Sequence, residues 1–402
     1  MSRVPQALPA VTRSEEYTAE NIEYLEGCEH IRRRPAMYLG STDAAGLHRM
    51  VIEVVEHAVN EVLAGSCNFI RVELLPDGGC RVADNGPGRF IALGSQLFRH
   101  CSPEQGDNHT FSMQPSLFGI GLTAVCALSI RCEVEDSDTI KRFRQEFVRG
   151  RLVGPPRITA HVEAQRTMVS FWPDPEIFAD AGTITFTRLA DRFRELAFLN
   201  PGLKIELLDL RAEPMHLETF ESKVGVAEFL SFLNESREPV HPNIIYIEGQ
   251  ENGQEFQLAM QWTRAPEERI VSFVNNHAST RGTHLRALRA ALTGPVSKYG
   301  KIYGAIKEES LLITEDILEG LTAVLAMKLR EPQWGSMRGD DLINLEVEPF
   351  IELTVDQWLS VFLECHPSEA VSIASRSAVA CQARLNAEAT RELKHGAEGA
   401  DS

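Results

Sequence analysis

The 402-residue chain lacks the cysteine patterns of zinc fingers and disulfide frameworks, because its eight cysteines are scattered and form no C-x-x-C pair. It also has no run near the roughly 18 apolar residues that a membrane helix needs, and its N-terminus has no apolar signal region. Several cysteines, such as Cys126 in TAVCALSI, stand in apolar contexts that are typical of buried free thiols. These absences predict a cytoplasmic protein in a reducing compartment, with no membrane partner.

Basic residues are too few for a broad surface that would bind nucleic acid through its phosphates. The chain has 40 Lys and Arg against 57 Asp and Glu, a formal net charge of -17. The densest basic patches are Arg32–Arg34 and the set Arg281, Arg286 and Arg289, and clustered arginines are more often solvated or salt-bridged than DNA-binding. The phosphate-binding loop G-x-x-x-x-G-K-[ST] is absent as well. We therefore expect any contact with DNA to be indirect.

What is present is a chain of ordinary globular composition, long enough for two domains. Helical periodicity predicts helices at 46–64, 185–199, VGVAEFLSFLNES, THLRALRAALTGPVSKYG and about 367–395. Strand patterns occur in FIRVELL, CRVAD, RTMVSFWP, LKIELLDL, NIIYIEG, EFQLAMQWT, RIVSFVNN and LTAVLAMKL. The prediction is an α+β fold with antiparallel strands and two domains that divide near residue 219.

The predicted helix MVIEVVEHAVNEVLAG carries an unusual polar stripe opposite its apolar face. Steps of four and seven residues place Glu53, His57 and Asn60 on that stripe. A solvated face is the simplest interpretation of the stripe. A transition-metal site on Glu53 and His57 is a weaker one, because the pair has no obvious third ligand.

Three further elements suggest a nucleotide site only when they are taken together. Asp84 ends a strand and opens the loop DNGPG, which is equally typical of a turn capped by the aspartate. Gly119 and Gly121 precede a helix, where backbone amides bind phosphate, although G-x-G before a helix is common. Thr167 is a hydroxyl on a predicted strand, where threonine is also simply a good strand former.

These elements occur in the order of the GHKL ATPases, and longer motifs carry a specific resemblance. They are YTAENIEYLEGCEHIRRRPAMYLGST, HRMVIEVVEHAVNEVLAG, RVADNGPG, TMVSFWP, RELAFLNPGLKI, HPNIIY, FVNN, GTHLRALRAALT and EGLTAVLAMKL. From about residue 16 to 395 the chain resembles the N-terminal ATPase region of the bacterial type IIA topoisomerase B subunits, which include those of DNA gyrase and topoisomerase IV.

The resemblance implies a GHKL (Bergerat) ATP-binding sandwich and a ribosomal-protein-S5-like transducer domain. The implied boundaries are 1–15 for a flexible arm, 16–218 for the ATPase-like domain, 219–395 for the transducer and 396–402 for a tail. No E-G-D-S cluster is present, so a TOPRIM domain is expected to be absent and the chain is expected not to be a complete topoisomerase. Implied partners are a second copy of the chain, a gyrase-type A subunit and a separate TOPRIM chain.

Site roles follow from the resemblance position by position, with ATP as the implied ligand. Glu53 matches the general base. The adenine side is matched by Asp84, Gly86, Gly88 and Thr167, the phosphate loop by Gly119 and Gly121, and the wall of the site by Tyr38, while Tyr17 lies in the arm that embraces a second subunit.

The departures from the family lie in the chemistry. His57 replaces the asparagine that binds Mg²⁺, and imidazole is a poor ligand for that hard cation, which puts Mg²⁺ in doubt. Pro115 interrupts the phosphate loop and cannot donate an amide hydrogen. Gly339 stands where the family has the transducer lysine, with Met337 and Arg338 before it.

Two functions therefore remain open. The first is an ATP-hydrolysing topoisomerase B-type region that closes as a dimeric clamp, with weak turnover. The second is an inactive paralogue that acts as a nucleotide-binding, dimerisation or gyrase-interaction module.

Overall fold

The computed structural model describes residues 28–87, 121–137, 141–160, 166–307, 312–336 and 339–398. The helices of this part are α1 Glu29–Arg33, α2 Pro35–Leu39, α3 Ala44–Leu63, α4 Gly121–Ala127, α5 Phe186–Leu199, α6 Val226–Leu233, α7 Thr283–Ile302, α8 Thr314–Leu318, α9 Val347–Cys365 and α10 Pro367–Glu398. In the same part, no helix combines the length and apolar character needed to cross a bilayer.

The strands of the first sheet are β1 Phe69–Leu74, β2 Cys80–Asp84, β3 Ser129–Ser137, β4 Lys141–Val148, β5 Arg151–Leu152, β6 Arg157–Ala160, β7 Arg166–Pro173, β8 Lys204–Asp209 and β9 His216–Glu221. Their order is β5-β4-β3-β7-β2-β1-β8-β9, and β6 also pairs with β4. The pair β1 and β8 is parallel, whereas the other pairs of this sheet are antiparallel.

The two faces of the first sheet differ because side chains alternate along each strand. One face is apolar and forms a core with α3 and α5 through residues such as Val54, Val72 and Phe193. The other face carries cross-strand ion pairs, among them Arg71 with Glu206 at 2.5 Å. Polar groups on the apolar, helix-facing side are therefore exceptional.

The second sheet contains β10 Ile245–Glu251, β11 Gln254–Trp262, β12 Arg269–Val274, β13 His277–Ala278 and β15 Leu321–Leu329, in the order β10-β11-β15-β12-β13. Strands β12 and β15 are parallel, as are β1 and β8, so the expected antiparallel arrangement does not hold for these two pairs. A short parallel pair, β14 Arg281–Gly282 with β16 Asp341–Leu342, completes the described strands.

Helix α9 was not predicted from the sequence, and its surface explains why. It buries Val355 and Leu359 in the second core, as an amphipathic helix should. It also exposes Leu353 and Trp358 to solvent, so apolar residues lie on more than one face. This distribution blurs the 3.6-residue period on which helix prediction rests.

The junction between the two sheets lies just after β9. Because β9 runs to Glu221 and pairs with β8, the division expected between residues 218 and 219 lies inside this strand. Helix α6 follows, and Phe229 stacks on Phe198 of α5 with ring centroids 5.0 Å apart. Asn276 donates a hydrogen bond to Asn200 at 3.0 Å, which adds a polar contact between the two parts.

Several arginines of the basic patches form ion pairs with carboxylates. Arg32 pairs with the buried Asp174 at 2.6 Å. Arg286 pairs with Glu348 at 2.5 Å, and Arg289 pairs with Glu268. These contacts favour the salt-bridged interpretation of the clusters over a surface for nucleic acid.

Candidate functional site

The helix-facing side of the first sheet becomes polar at one row, across three adjacent strands. Asp84 of β2 lies directly opposite Thr167 of β7, and Thr167 lies opposite Asp136 of β3. All three residues are buried. The next row on the same face is Val82, Val169 and Val134, which is fully apolar.

Asp84 closes β2 and starts the turn that leads toward the loop. Its Oδ1 accepts a hydrogen bond from the amide of Gly86 at 2.8 Å, so the capped-turn interpretation of this motif is present in the structure. Within the described residues this is the one hydrogen bond of the Asp84 side chain. The second carboxylate oxygen can therefore receive a donor from a ligand.

The charge of Asp84 is strongly disfavoured by its surroundings. Burial raises the pKa of Asp84 to about 7, the Gly86 amide opposes that shift, and the nearby carboxyl groups of Glu61 and Asp136 add to it. Such a perturbed carboxyl at a strand end is typical of binding sites.

Gly86 allows the turn to approach α3. A Cβ atom at Gly86 would lie 3.0 Å from Asp84 Oδ1 and 3.2 Å from Glu61 Cβ, which is tighter than ordinary contacts. Asn85 holds the turn from the other side, because its Oδ1 accepts from the amides of Asn68 and Phe69 at 3.0 Å. The residues around Asp84 are thus tightly positioned.

Glu53 lies on α3, which begins where Asp43 accepts the amide of Ala45 at 2.8 Å. The Glu53 side chain is 3% exposed, and its Oε1 lies 2.5 Å from a guanidinium nitrogen of Arg49. Arg49 also reaches Glu56 at 3.3 Å. The Arg49 guanidinium therefore holds Oε1 of Glu53 in a partly buried ion pair.

Arg49 is a residue that the sequence analysis missed. Burial would lower the pKa of its guanidinium, but the charges of Glu56 and Glu53 outweigh that effect and raise it. The i, i+4 spacing of Arg49 and Glu53 is a signal that could have found the pair.

His57 is half-buried on α3, one turn after Glu53. Its imidazole is a poor donor for Mg²⁺, so the residues present do not fit the metal of the family at this position. In the described part of the chain, no group of three or more His, Cys, Asp and Glu side chains could hold a metal ion. The transition-metal interpretation of Glu53 and His57 thus gains no third ligand there.

The remaining predicted residues are spread more widely. Tyr38 lies on α2, packs against the first core and stands edge-on to His30 at 5.8 Å. Gly121 is the first residue of α4. Gly88, Gly119, Tyr17, Pro115, Met337 and Arg338 lie outside the described residues.

Gly339 adopts a φ of 68°, a left-handed conformation that favours glycine. A Cβ atom there would lie 3.4 Å from Nε2 of His277. Any side chain at Gly339 would therefore be strained, which is consistent with the loss of the lysine.

The family model described as DNA gyrase B matches residues 225–393. The DNA gyrase B subunit of Clostridium acetobutylicum is 36% identical over 394 residues, which cover 95% of this chain and 61% of that protein. The corresponding protein of Haloferax volcanii is 36% identical over 404 residues, covering 95% and 62%. The chain thus spans about three fifths of the length of the curated relatives it matches.

Solved structures agree with this result. The 43K ATPase domain of Thermus thermophilus gyrase B, in complex with an aminocoumarin, matches with a TM-score of 0.72 and 32% identity, over 91% of this chain and 98% of that chain. The gyrase B-subunit of Myxococcus xanthus matches in fold with a TM-score of 0.75 at 24% identity, over 87% and 99%. The predicted fold, a GHKL sandwich followed by a transducer domain, is confirmed. The chain therefore belongs to the DNA gyrase B family and corresponds to the N-terminal ATPase region of its members.

Proposed function

We propose that this chain binds ATP with the adenine ring against Asp84 and Thr167, and that it hydrolyses ATP slowly. The observation that carries the proposal is the buried Asp84 carboxylate at the end of β2, which keeps one oxygen for a donor such as the exocyclic amine of adenine. As in the family, we assign Gly86 and Gly88 to the adenine side of the site and Gly119 and Gly121 to the phosphate loop.

Slow turnover follows from the surroundings of the proposed base. Glu53 must accept a proton from the attacking water, but its pairing with Arg49 opposes that transfer. His57 supplies no oxygen ligand for Mg²⁺. We infer that nucleotide binding and closure of a homodimer persist while the chemical step is impaired.

The proposal is tested by measuring binding and turnover on the same protein. Calorimetry with a non-hydrolysable ATP analogue is expected to show one site per chain, with dimerisation detected by light scattering. Phosphate release should be slow, and Glu53→Gln should lower it about 100-fold, because a positioned base contributes about that factor. Glu195→Gln, at a half-buried residue on α5 outside the proposed site, is the control and should leave both measurements unchanged. Absence of binding would contradict the proposal.

His57→Asn is expected to strengthen the binding of the ATP analogue in the presence of Mg²⁺ about tenfold, because an amide oxygen replaces a poor ligand. The matched measurement is the same titration in a metal chelator, where the variant and the parent protein should agree. Equal affinities with and without Mg²⁺ in the variant would place the impairment elsewhere than at His57.

A second candidate is a binding module without turnover, and the Arg49–Glu53 pair favours it. In that case phosphate release from the parent protein would equal that of Glu53→Gln, while binding and dimerisation would persist. The module would act through a gyrase-type A subunit or a separate TOPRIM chain and would reach DNA only through such partners. The described cysteines are free thiols, which supports action in the cytoplasm.

A further inference from the structure

Two thiols meet where α4 packs against β3. Cys126 lies in the last turn of α4, and Cys132 is the fourth residue of β3, after a connection of one residue, Leu128. Their Sγ atoms are 2.8 Å apart. Both residues are buried, at 1% and 0% exposure. The sheet and the helix thus bring two cysteine side chains together in the first core.

The separation of the two sulfur atoms lies between that of a covalent bond and that of an ordinary contact. A disulfide requires about 2.05 Å, whereas unbonded heavy atoms have their optimal contact at about 3.5–4.0 Å. About 0.8 Å of movement therefore closes the bond. The backbone of Cys132 is held on both sides, because it pairs with Phe147 of β4 and Phe171 of β7. The movement then comes mainly from α4.

The surroundings of the pair protect it from oxidation while α4 is in place. Burial raises the pKa of the Cys126 thiol, and the neighbouring Cys132 adds to that shift, so the reactive thiolate is scarce. Reaction with a dissolved oxidant therefore requires α4 to open locally. This helix has only seven residues, and local opening of a short element costs less free energy than unfolding of the whole domain.

We propose that Cys126 and Cys132 form a reversible redox site, which takes low-molecular-weight disulfides such as glutathione disulfide as its oxidant. The oxidised site locks α4 onto β3. Because α4 begins at Gly121 of the proposed phosphate loop, the lock acts on the helix that continues this loop.

The reaction is a thiol–disulfide exchange in two steps. After local opening, one protein thiol loses its proton and attacks the oxidant, which forms a mixed disulfide and releases one glutathione thiolate. The second protein thiol loses its proton and attacks the protein sulfur of the mixed disulfide, which forms the Cys126–Cys132 bond and releases the second glutathione. Each released thiolate takes up one proton. One disulfide is thus reduced to two thiols while two protein thiols are oxidised to one disulfide.

The test incubates the folded full chain with reduced and oxidised glutathione, traps the remaining thiols and maps the disulfides in a tryptic digest by mass spectrometry. Trypsin cleaves after Arg131, between the two cysteines, so the bond holds peptides 100–131 and 132–141 together. The linked pair is expected to form within hours and to separate in dithiothreitol. Peptide 100–131 also contains Cys101, and fragmentation of the linked pair identifies the cysteine that carries the bond.

Three variants make the result specific. Cys132→Ala should accumulate the mixed disulfide of Cys126 with glutathione, because no second thiol is present to displace it. Cys126→Ala should do the same at Cys132. Cys80→Ala is the matched control, since Cys80 is a buried thiol in the same row of the sheet, two strands away from Cys132, and this variant should form the link as the parent protein does. Melting curves check that each variant folds.

The lock is measured separately by hydrogen exchange of the α4 amides in the oxidised and the reduced parent protein. The bond opposes local opening of the helix, so exchange is expected to be about tenfold slower in the oxidised form. Absence of the linked peptides in the folded parent protein, or a link through Cys101 instead of Cys126, would overturn the inference. Equal exchange of α4 in the two forms would overturn it as well. None of these outcomes bears on ATP binding, so the proposed function is tested independently.

Discussion

Arg49→Ala is expected to lower the free energy of unfolding by about 3 kcal/mol, because it removes the guanidinium that pairs with two buried carboxylates. Glu53 and Glu56 are 3% and 7% exposed in their side chains, whereas Arg49 is 31% exposed. Water can therefore replace part of the lost interaction, which places the effect at the lower end of the range for buried pairs. Urea unfolding followed by circular dichroism measures the change.

A double-mutant cycle separates the contribution of the ion pair to the free energy of unfolding from the effect of lost packing. Arg49→Ala introduced into a Glu53→Gln, Glu56→Gln background should cost about 1 kcal/mol or less, since both carboxylates that pair with Arg49 are then absent. Arg49→Lys keeps the charge but not the fork that spans two carboxylates, so it should fall between the parent protein and Arg49→Ala. Equal costs in the two backgrounds would show that the pair contributes little.

Asp84→Asn is expected to stabilise the protein at pH 8 and to lose that advantage toward pH 4. Burial raises the pKa of Asp84 from its ordinary value of 3.8 to about 7, so the folded state binds the proton more tightly than the unfolded state. The free energy of unfolding of the parent protein therefore falls as the pH rises between these two values. Its total loss is at most about 4 kcal/mol, because one pH unit corresponds to about 1.4 kcal/mol.

Urea unfolding of Asp84→Asn and the parent protein at several pH values from 4 to 8 measures this difference. Asp209→Asn is the control of opposite sign. The hydrogen bond from Arg211, which outweighs burial, lowers the pKa of Asp209, so that carboxylate contributes stability that is lost as the pH falls. Parallel pH profiles for Asp84→Asn and the parent protein would contradict the raised pKa of Asp84.

Local sequence was sufficient to predict the helices and strands with a strong hydrophobic period and to recognise the family motifs. The strand predicted from LTAVLAMKL is β15 with the same ends, and the helix predicted at 185–199 is α5 within one residue. In both cases the signal lies within a few consecutive residues, and packing reinforces it. The pair of Arg49 and Glu53 also belongs to this local class, because its members are one helical turn apart.

Strand pairing was decided only in three dimensions. The parallel pairs β1 with β8 and β12 with β15 join segments that are distant along the chain. Local sequence patterns do not indicate which distant strands pair, or whether the pair is parallel or antiparallel.

The polar row of Asp84, Thr167 and Asp136 was likewise decided by strand pairing in three dimensions. Asp136 lies in the stretch EDSDT, which by itself is typical of an exposed strand end, yet it is fully buried. Its neighbours in space, Thr167 and Asp84, come from strands that are distant along the chain. The amino-acid sequence by itself determined the family, the helix with Glu53 and the turn at Asp84. Only the register of three strands, set by packing against the helices, decided that a second carboxylate lies beside the proposed adenine site.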